Sequence, residues 1–224
     1  SSILLGVAAL VAIDSFASNV SRSVGEQSRA LVGGDVAFQG RGPFPRTFVN
    51  FLDSIADTRT AQVARVTTFA SMGTSPRTQR TRLVQVRAVD AGYPFYGTVT
   101  TQPAGRWASL QAGRHALVDR ALLPALGVQV GDSLQLGYAR FAITGVLENV
   151  PGDPGIAAVI GPRVYVPQRY LQETQLLGFG ARAEYEAVVK LPASVRADRW
   201  VLPLRRRFEA QRIRARTVAD AEQG

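Results

Sequence analysis

From Ile3 to Ile13 every residue is apolar or small, and Asp14 ends the run. No other segment narrows the architecture as far. These eleven residues would reach roughly 16 Å as a helix at ~1.5 Å each. A bilayer core is about 30 Å thick and takes about 20 residues, so the run does not span a membrane by itself. It also lacks the charged upstream region of a standard signal peptide. Three readings stay open at this point: the end of a transmembrane helix, a buried core helix, or a truncated signal region. The chain starts at Ser1 without an initiator Met, which fits a fragment or a processed chain. The residues beyond Asp14 favour the first reading. Phe16, Val20 and Val24 recur every four residues between polar neighbours, the pattern of a helix leaving lipid for water. Gly33 and Gly34 then supply a helix stop.

The next segments alternate between the two periodicities. Asp35 to Gln39 reads as a short strand. Phe48, Phe51, Leu52 and Ile55 fall on one helical stripe behind Pro45, and Gln62 to Met72 reads as a strand. A second unit of the same kind closes the chain. Glu184 to Leu191 is a strand, and Ser194 is the expected cap of a helix facing inward through Ala197, Val201, Leu204 and Phe208. Ile213 to Val218 returns as a strand. Pro203 is expected to kink that helix or mark its start.

The middle has a β texture. It includes a long strand Gln79 to Asp90, a short strand Ala116 to Val118, and a short helix capped by Asp119 and stopped by Gly127. A hairpin around Gly137 joins Ser133–Leu136 to Arg140–Leu147. A Pro/Gly-rich loop runs from Pro151 to Gly161, before a strand Val164 to Val166. The 224 residues leave room for one large or two small domains. The expected fold is α+β: a porter-like α/β part made of two strand–helix–strand units, with a β-rich inserted subdomain, preceded by a membrane-proximal helix. The boundaries are 1–32 for the membrane-helix end and stalk, 33–72 and 184–224 for the two halves of the porter-like part, and 73–183 for the insert.

Candidate chemistry is sparse. Cysteine is absent, which excludes disulfides, thiolate metal sites and cysteine nucleophiles. His115 is the only histidine and reads as a packing or surface residue. Gly178-Phe-Gly180 falls short of a dinucleotide fingerprint and reads as a loop. Neither a P-loop nor a G-x-S-x-G motif occurs. Glu184 and Glu186 share one strand face and read as a solvent-facing strand edge. We expect no catalytic, cofactor-binding or metal residues, and no enzyme activity. Net charge is +9, with Lys190 the only lysine. Arg205, Arg206, Arg207, Arg212, Arg214 and Arg216 stand against Glu209 near the C-terminus. Such a run can meet anionic lipid or nucleic acid, but only Phe208 interleaves it, too few aromatics for single-strand stacking. Nucleic acid is therefore not expected as a partner.

Three stretches together resemble one family: Glu26-Gln-Ser-Arg-Ala-Leu-Val-Gly-Gly-Asp35; Val86-Arg-Ala-Val-Asp-Ala-Gly-Tyr-Pro-Phe-Tyr-Gly97; and Val118 to Asp132 with Phe141-Ala-Ile-Thr-Gly-Val-Leu147 after it. They look like the extracytoplasmic domain of FtsX-like, MacB-type ABC transporter permeases, in the YbbP-like branch. The resemblance implies a domain between two membrane helices, on the periplasmic side of the inner membrane. Its implied partners are a cytoplasmic ABC ATPase subunit and a second permease copy, with a periplasmic or lipid partner left open. The implied role is mechanotransmission, in which ATP-driven movement of the stalks moves the outer domains.

Overall fold

The computed structural model describes residue 25 and residues 28–152, 161–178 and 180–222. The apolar run at 3–13 and the stripe Phe16, Val20, Val24 lie outside the described residues. The described chain opens on helix α1, which includes residues 28–32.

Two strand–helix–strand units build the first layer. One is β1 (Val36–Gly40), α2 (Arg46–Asp57) and β2 (Gln62–Thr74); the other is β9 (Glu184–Lys190), α4 (Ala197–Phe208) and β10 (Arg214–Thr217). They interleave rather than sit side by side. The strand order is β10-β1-β9-β2, antiparallel throughout. This is the split arrangement of a β-α-β-β-α-β fold, with a long excursion between β2 and β9. The helical stripe works as the sequence predicts: Phe48, Leu52 and Ile55 are buried on α2, and Val201, Leu204 and Phe208 on α4. They pack with Val36, Phe38, Ala187 and Val189 of the sheet. Phe48 stands edge-on to Phe208 at 4.8 Å and to Phe38 at 5.2 Å between ring centroids. Edge-to-face pairs of this kind add to plain area burial.

The excursion closes on itself. β3 (Thr81–Val89), β5 (His115–Asp119), β6 (Ser133–Leu136), β7 (Ala139–Asn149) and β8 (Arg163–Pro167) join β2 in a ring. β2 bonds β3, β3 bonds β8, β8 bonds β5, β5 bonds β7, β7 bonds β6, and β6 returns to β2. The β3–β8 and β5–β7 pairs are parallel. Closing a sheet removes its free edges. The ring is filled by Phe69, Val86, Val118, Leu134, Phe141 and Ile143, among others, and α3 (Leu122–Leu126) adds Leu122 and Leu126. Gly127 adopts φ 64 after α3, the helix stop expected from the sequence. β4 (Thr100–Gln102) pairs the outer side of β7.

All five residues of β8 are buried, as parallel strands covered on both faces are. Val164 and Val166 face the ring interior. Tyr165 faces a third cluster with Ala64, Val66, Tyr93, Leu117 and Val188, on the side of the sheet away from α2 and α4.

Several local expectations give way to tertiary contacts. Asp119 does not cap α3, whose preceding residue is Ala121 with no side-chain cap. Its carboxylate instead accepts the Arg163 backbone N–H at 2.7 Å and the Arg163 guanidinium at 2.8–3.1 Å, tying β5 to β8. Ser194 caps nothing: α4 starts after Arg196 without a side-chain cap. Pro203 stays within α4, six residues beyond Ala197, and so does not mark its start. Glu184 and Glu186 are not on an edge, because β9 lies between β1 and β2; Glu186 accepts a hydrogen bond from Gln39 Nε2 at 2.7 Å.

Candidate functional site

The chain enters the body at one built junction. α1 ends when Gly33 N–H donates to the Arg29 carbonyl at 2.8 Å and Gly33 turns to φ 75. Gly34 then passes so close to β9 that a Cβ there would lie 2.4 Å from Val188 Cγ1 and 2.9 Å from the Val189 carbonyl oxygen. Only a residue without a side chain fits that approach. Asp35 comes next and is buried. Its carboxylate accepts the Leu191 backbone N–H at 2.8 Å and the Tyr96 hydroxyl at 3.1 Å. Arg29 Nε stands 3.7 Å away.

Tyr96 completes the junction from the turn after β3. Two cations lie over its ring, with Arg29 Cζ at 5.6 Å and Lys190 Nζ at 5.3 Å from the centroid, within reach of cation–π attraction. Burial raises the Tyr96 hydroxyl above its ordinary pKa. The Asp35 charge and hydrogen bond push it the same way, and Arg29 pulls it partly back. The phenol therefore stays a donor to Asp35 across the neutral range. The Phe95 N–H donates to the Gly33 carbonyl at 2.9 Å. Behind α1, a Cβ on Gly152 would lie 2.7 Å from the Ala30 and Leu31 carbonyl oxygens. The helix end is thus gripped by the turn after β3, by β9 and by the Pro151–Gly152 turn. Two of the three stretches that carry the family resemblance meet here in space through residues 28–35 and 86–97.

A second feature lies at the opposite end of β1. A cleft of about 1320 Å³ opens around the β1–α2 loop, the end of α4 and the start of β10, and seven arginines and three glutamates line it. The basic run splits on folding. Arg205 pairs with Asp220. Arg207 lies over Phe51 at 5.8 Å and Phe208 at 5.1 Å from the ring centroids. Arg206, Arg212, Arg214 and Arg216 line the cleft, joined by Arg41 from the other unit. Burial would raise Asp220, but the hydrogen bonds from Thr217 and the Arg205 charge and hydrogen bond outweigh it and hold its pKa below the usual carboxylate range.

The remaining sequence candidates have local roles. His115 is half-buried at the start of β5, and its Nδ1 donates to the Ser109 carbonyl at 2.8 Å. Gly180 has φ 83 with open space about it, and Phe179 lies outside the described residues. Among the described residues no three His, Asp or Glu side chains group as metal ligands, and no helix is long and apolar enough to cross a membrane. Arg29, Asp35, Tyr96 and Lys190 carry no motif of their own in sequence. Their signal is that Asp35 comes after a glycine pair and Tyr96 sits in a turn between Gly92 and Gly97, where an acid and a phenol need a tertiary reason.

A family model for the MacB-like periplasmic core domain matches residues 1–201. The chain belongs to this family. As a MacB-like periplasmic core domain it is 28% identical over 181 residues to YbbP, an uncharacterized ABC transporter permease of Escherichia coli strain K12. The match takes in 81% of this chain and 21% of that permease, so the chain spans only a minor part of the relative's length. Its fold is also that of the periplasmic region of MacB from Actinobacillus actinomycetemcomitans. The TM-score is 0.55 at 11% identity, over 85% of this chain and 92% of that one.

Proposed function

We propose that this core domain is the extracytoplasmic part of an ABC transporter permease, and that it transmits ATP-driven movement from a membrane helix to the space outside the membrane. The observation that carries the reading is the junction. Helix α1 meets the body through one buried carboxylate bonded to Tyr96 and Leu191, backed by glycines that admit no side chain. Rotation of α1 would therefore move β1, β9 and the turn after β3 together. In this reading residues 1–32 are the end of a membrane helix and its stalk, 33–72 and 184–224 are one porter-like part, and 73–183 are an insert. A cytoplasmic ATPase subunit and a second permease copy supply the power stroke. The domain itself performs no chemistry.

The test uses the whole permease with its ATPase. The chain has no cysteine, so Tyr138→Cys, at a turn where Tyr138 is 80% exposed, gives one spin label per copy once any cysteines in the rest of the permease have been replaced. ATP binding is expected to change the label-to-label distance between copies. Tyr96→Phe combined with Arg29→Gln is expected to shrink that change while ATP hydrolysis persists. A distance that ATP does not alter would overturn the reading.

A further inference from the structure

We infer that the basic cleft at the far end of β1 is a binding site for a ligand carrying clustered phosphate groups. The inference stands on the cleft alone and holds whether or not the coupling role does. Five of the arginines that line it have no partner among the described residues. Among the described residues, Arg41, Arg206, Arg212, Arg214 and Arg216 make no ion pair and no side-chain hydrogen bond to the protein, whereas seven other arginines do form ion pairs. The five come from three places: the β1–α2 loop, the end of α4, and the segment from Arg212 into β10. Folding gathers them around one concavity. The acids in the same cleft are fewer: Glu184, Glu186 and Glu209 stand against the five.

The placement of these arginines on β10 adds to the case. Ala215 packs toward the helix side of the sheet, so Arg214 and Arg216 share the opposite face, roughly 7 Å apart along the strand. Arg212 holds φ 56, a left-handed conformation that favours glycine. Arg212 closes the turn after Glu209–Gln211 in that conformation.

Guanidinium forks bind phosphate or carboxylate in pairs of parallel hydrogen bonds. A carboxylate offers two oxygens and one charge, enough for a single fork. A phosphate group offers three oxygens and close to two charges, so a ligand carrying several phosphates engages more forks than one carboxylate can. The cleft runs from the β1–α2 loop along β10, where Arg214 stands opposite Gln39 and Arg216 opposite Ala37. The phosphates belong either to a soluble oligophosphate or to a phosphorylated lipid, and two binding measurements separate these.

The experiment measures binding of tripolyphosphate to the 224-residue chain by calorimetry, and in parallel its retention on phosphatidic acid vesicles, whose phosphomonoester headgroups present three oxygens each, against phosphatidylcholine vesicles. Binding is expected in at least one arm, and the arm assigns the source. The triple variant Arg206→Gln/Arg214→Gln/Arg216→Gln is expected to weaken it about tenfold or more. Arg59→Gln/Arg140→Gln/Arg199→Gln, which removes the same charge outside the cleft, is expected to leave it within about twofold. Arg212→Gly relieves the backbone while removing a fork, so it is expected to weaken binding with no fall in thermal midpoint. The site is overturned if neither probe binds, if binding survives the cleft variants, or if the control triple loses as much as the cleft triple.

Discussion

Asp90 directly follows β3 and ties it to β2 through both its backbone and its side chain. Its backbone N–H donates to the Arg65 carbonyl at 3.0 Å, and its carboxylate accepts the Arg65 N–H at 2.9 Å. Burial pushes its pKa up, and the hydrogen bond and charge of Arg65 only partly counter that. A carboxyl whose folded pKa is raised above the ordinary 3.8 binds its proton more tightly when folded. Its contribution to stability is therefore full below the ordinary pKa and is lost as pH rises through the raised one. Asn keeps the acceptor and never ionises. Asp90→Asn is accordingly expected to be more stable than the parent at pH 7, with the advantage vanishing below the ordinary carboxylate range. Urea midpoints of the two proteins from pH 3 to pH 7 measure this, and a gap that does not change with pH would refute the assignment. Asp220 runs the other way. Its pKa is held down in the fold, so what it contributes is present above the ordinary carboxyl pKa and lost as pH falls through the lowered value.

Among the elements, the β6–β7 hairpin rests on Gly137. The residue has φ 55, and a Cβ there would lie 2.0 Å from the Thr174 carbonyl oxygen and 2.9 Å from Leu176 Cγ. Gly105 has φ 80 with open space around it. Alanine at Gly105 meets only backbone strain, about 1–3 kcal/mol, whereas alanine at Gly137 adds an overpacking penalty of about 1–3 kcal/mol. Gly137→Ala is expected to lower unfolding free energy by at least ~1 kcal/mol more than Gly105→Ala in urea titrations, and equal losses would mean the turn does not press on residues 174–176. The hairpin itself was legible from alternation, because Leu134/Leu136 and Phe141/Ile143 state which face is buried. The α2 stripe was legible for the same reason at helical period. The parallel pairs β3–β8 and β5–β7 were not, since their partners are remote in sequence and no local turn fixes their register. Asp119 and Ser194 misled because capping propensity is a local preference. Asp119 finds a charge-assisted partner in Arg163, which outweighs a cap worth about 1 kcal/mol. At the site, the arginine run was legible as charge, but not its division among Asp220, the Phe51–Phe208 face and the cleft. That division depends on where α4 and β10 direct each side chain.

For the molecule as a whole, β2 is the shared member of two structures. Its first half pairs β9, from Gln62↔Lys190 to Thr68↔Glu184, and its second half reaches β6 at Gly73↔Leu136 and Thr74↔Gln135. The outer layer and the closed ring are therefore joined through one continuous backbone. The proposed division into a porter-like part and an insert makes a separable claim about this strand. Thr68 and Glu184 stand opposite each other in an antiparallel pair, so a two-residue Asn-Gly turn can join them directly. Excising 69–183 in this way keeps β1, α2, the first half of β2, β9, α4 and β10, together with the core around Phe38, Phe48 and Phe208. It also uncovers Ala64, Val66 and Val188 on the other face, and a domain of this size buries proportionally less surface. The excised protein is expected to unfold cooperatively in circular dichroism but at a lower midpoint than the parent. Valine to threonine changes at Val66 and Val188 on its uncovered face should leave that midpoint nearly unchanged, because those side chains no longer have the ring side to pack against. Phe48→Ala in the same background should abolish the transition, since losing a buried Phe costs about 3–5 kcal/mol, much of what so small a core holds. A gradual, non-cooperative melt of the excised protein itself would mean that the ring and the α/β layer fold only as one unit.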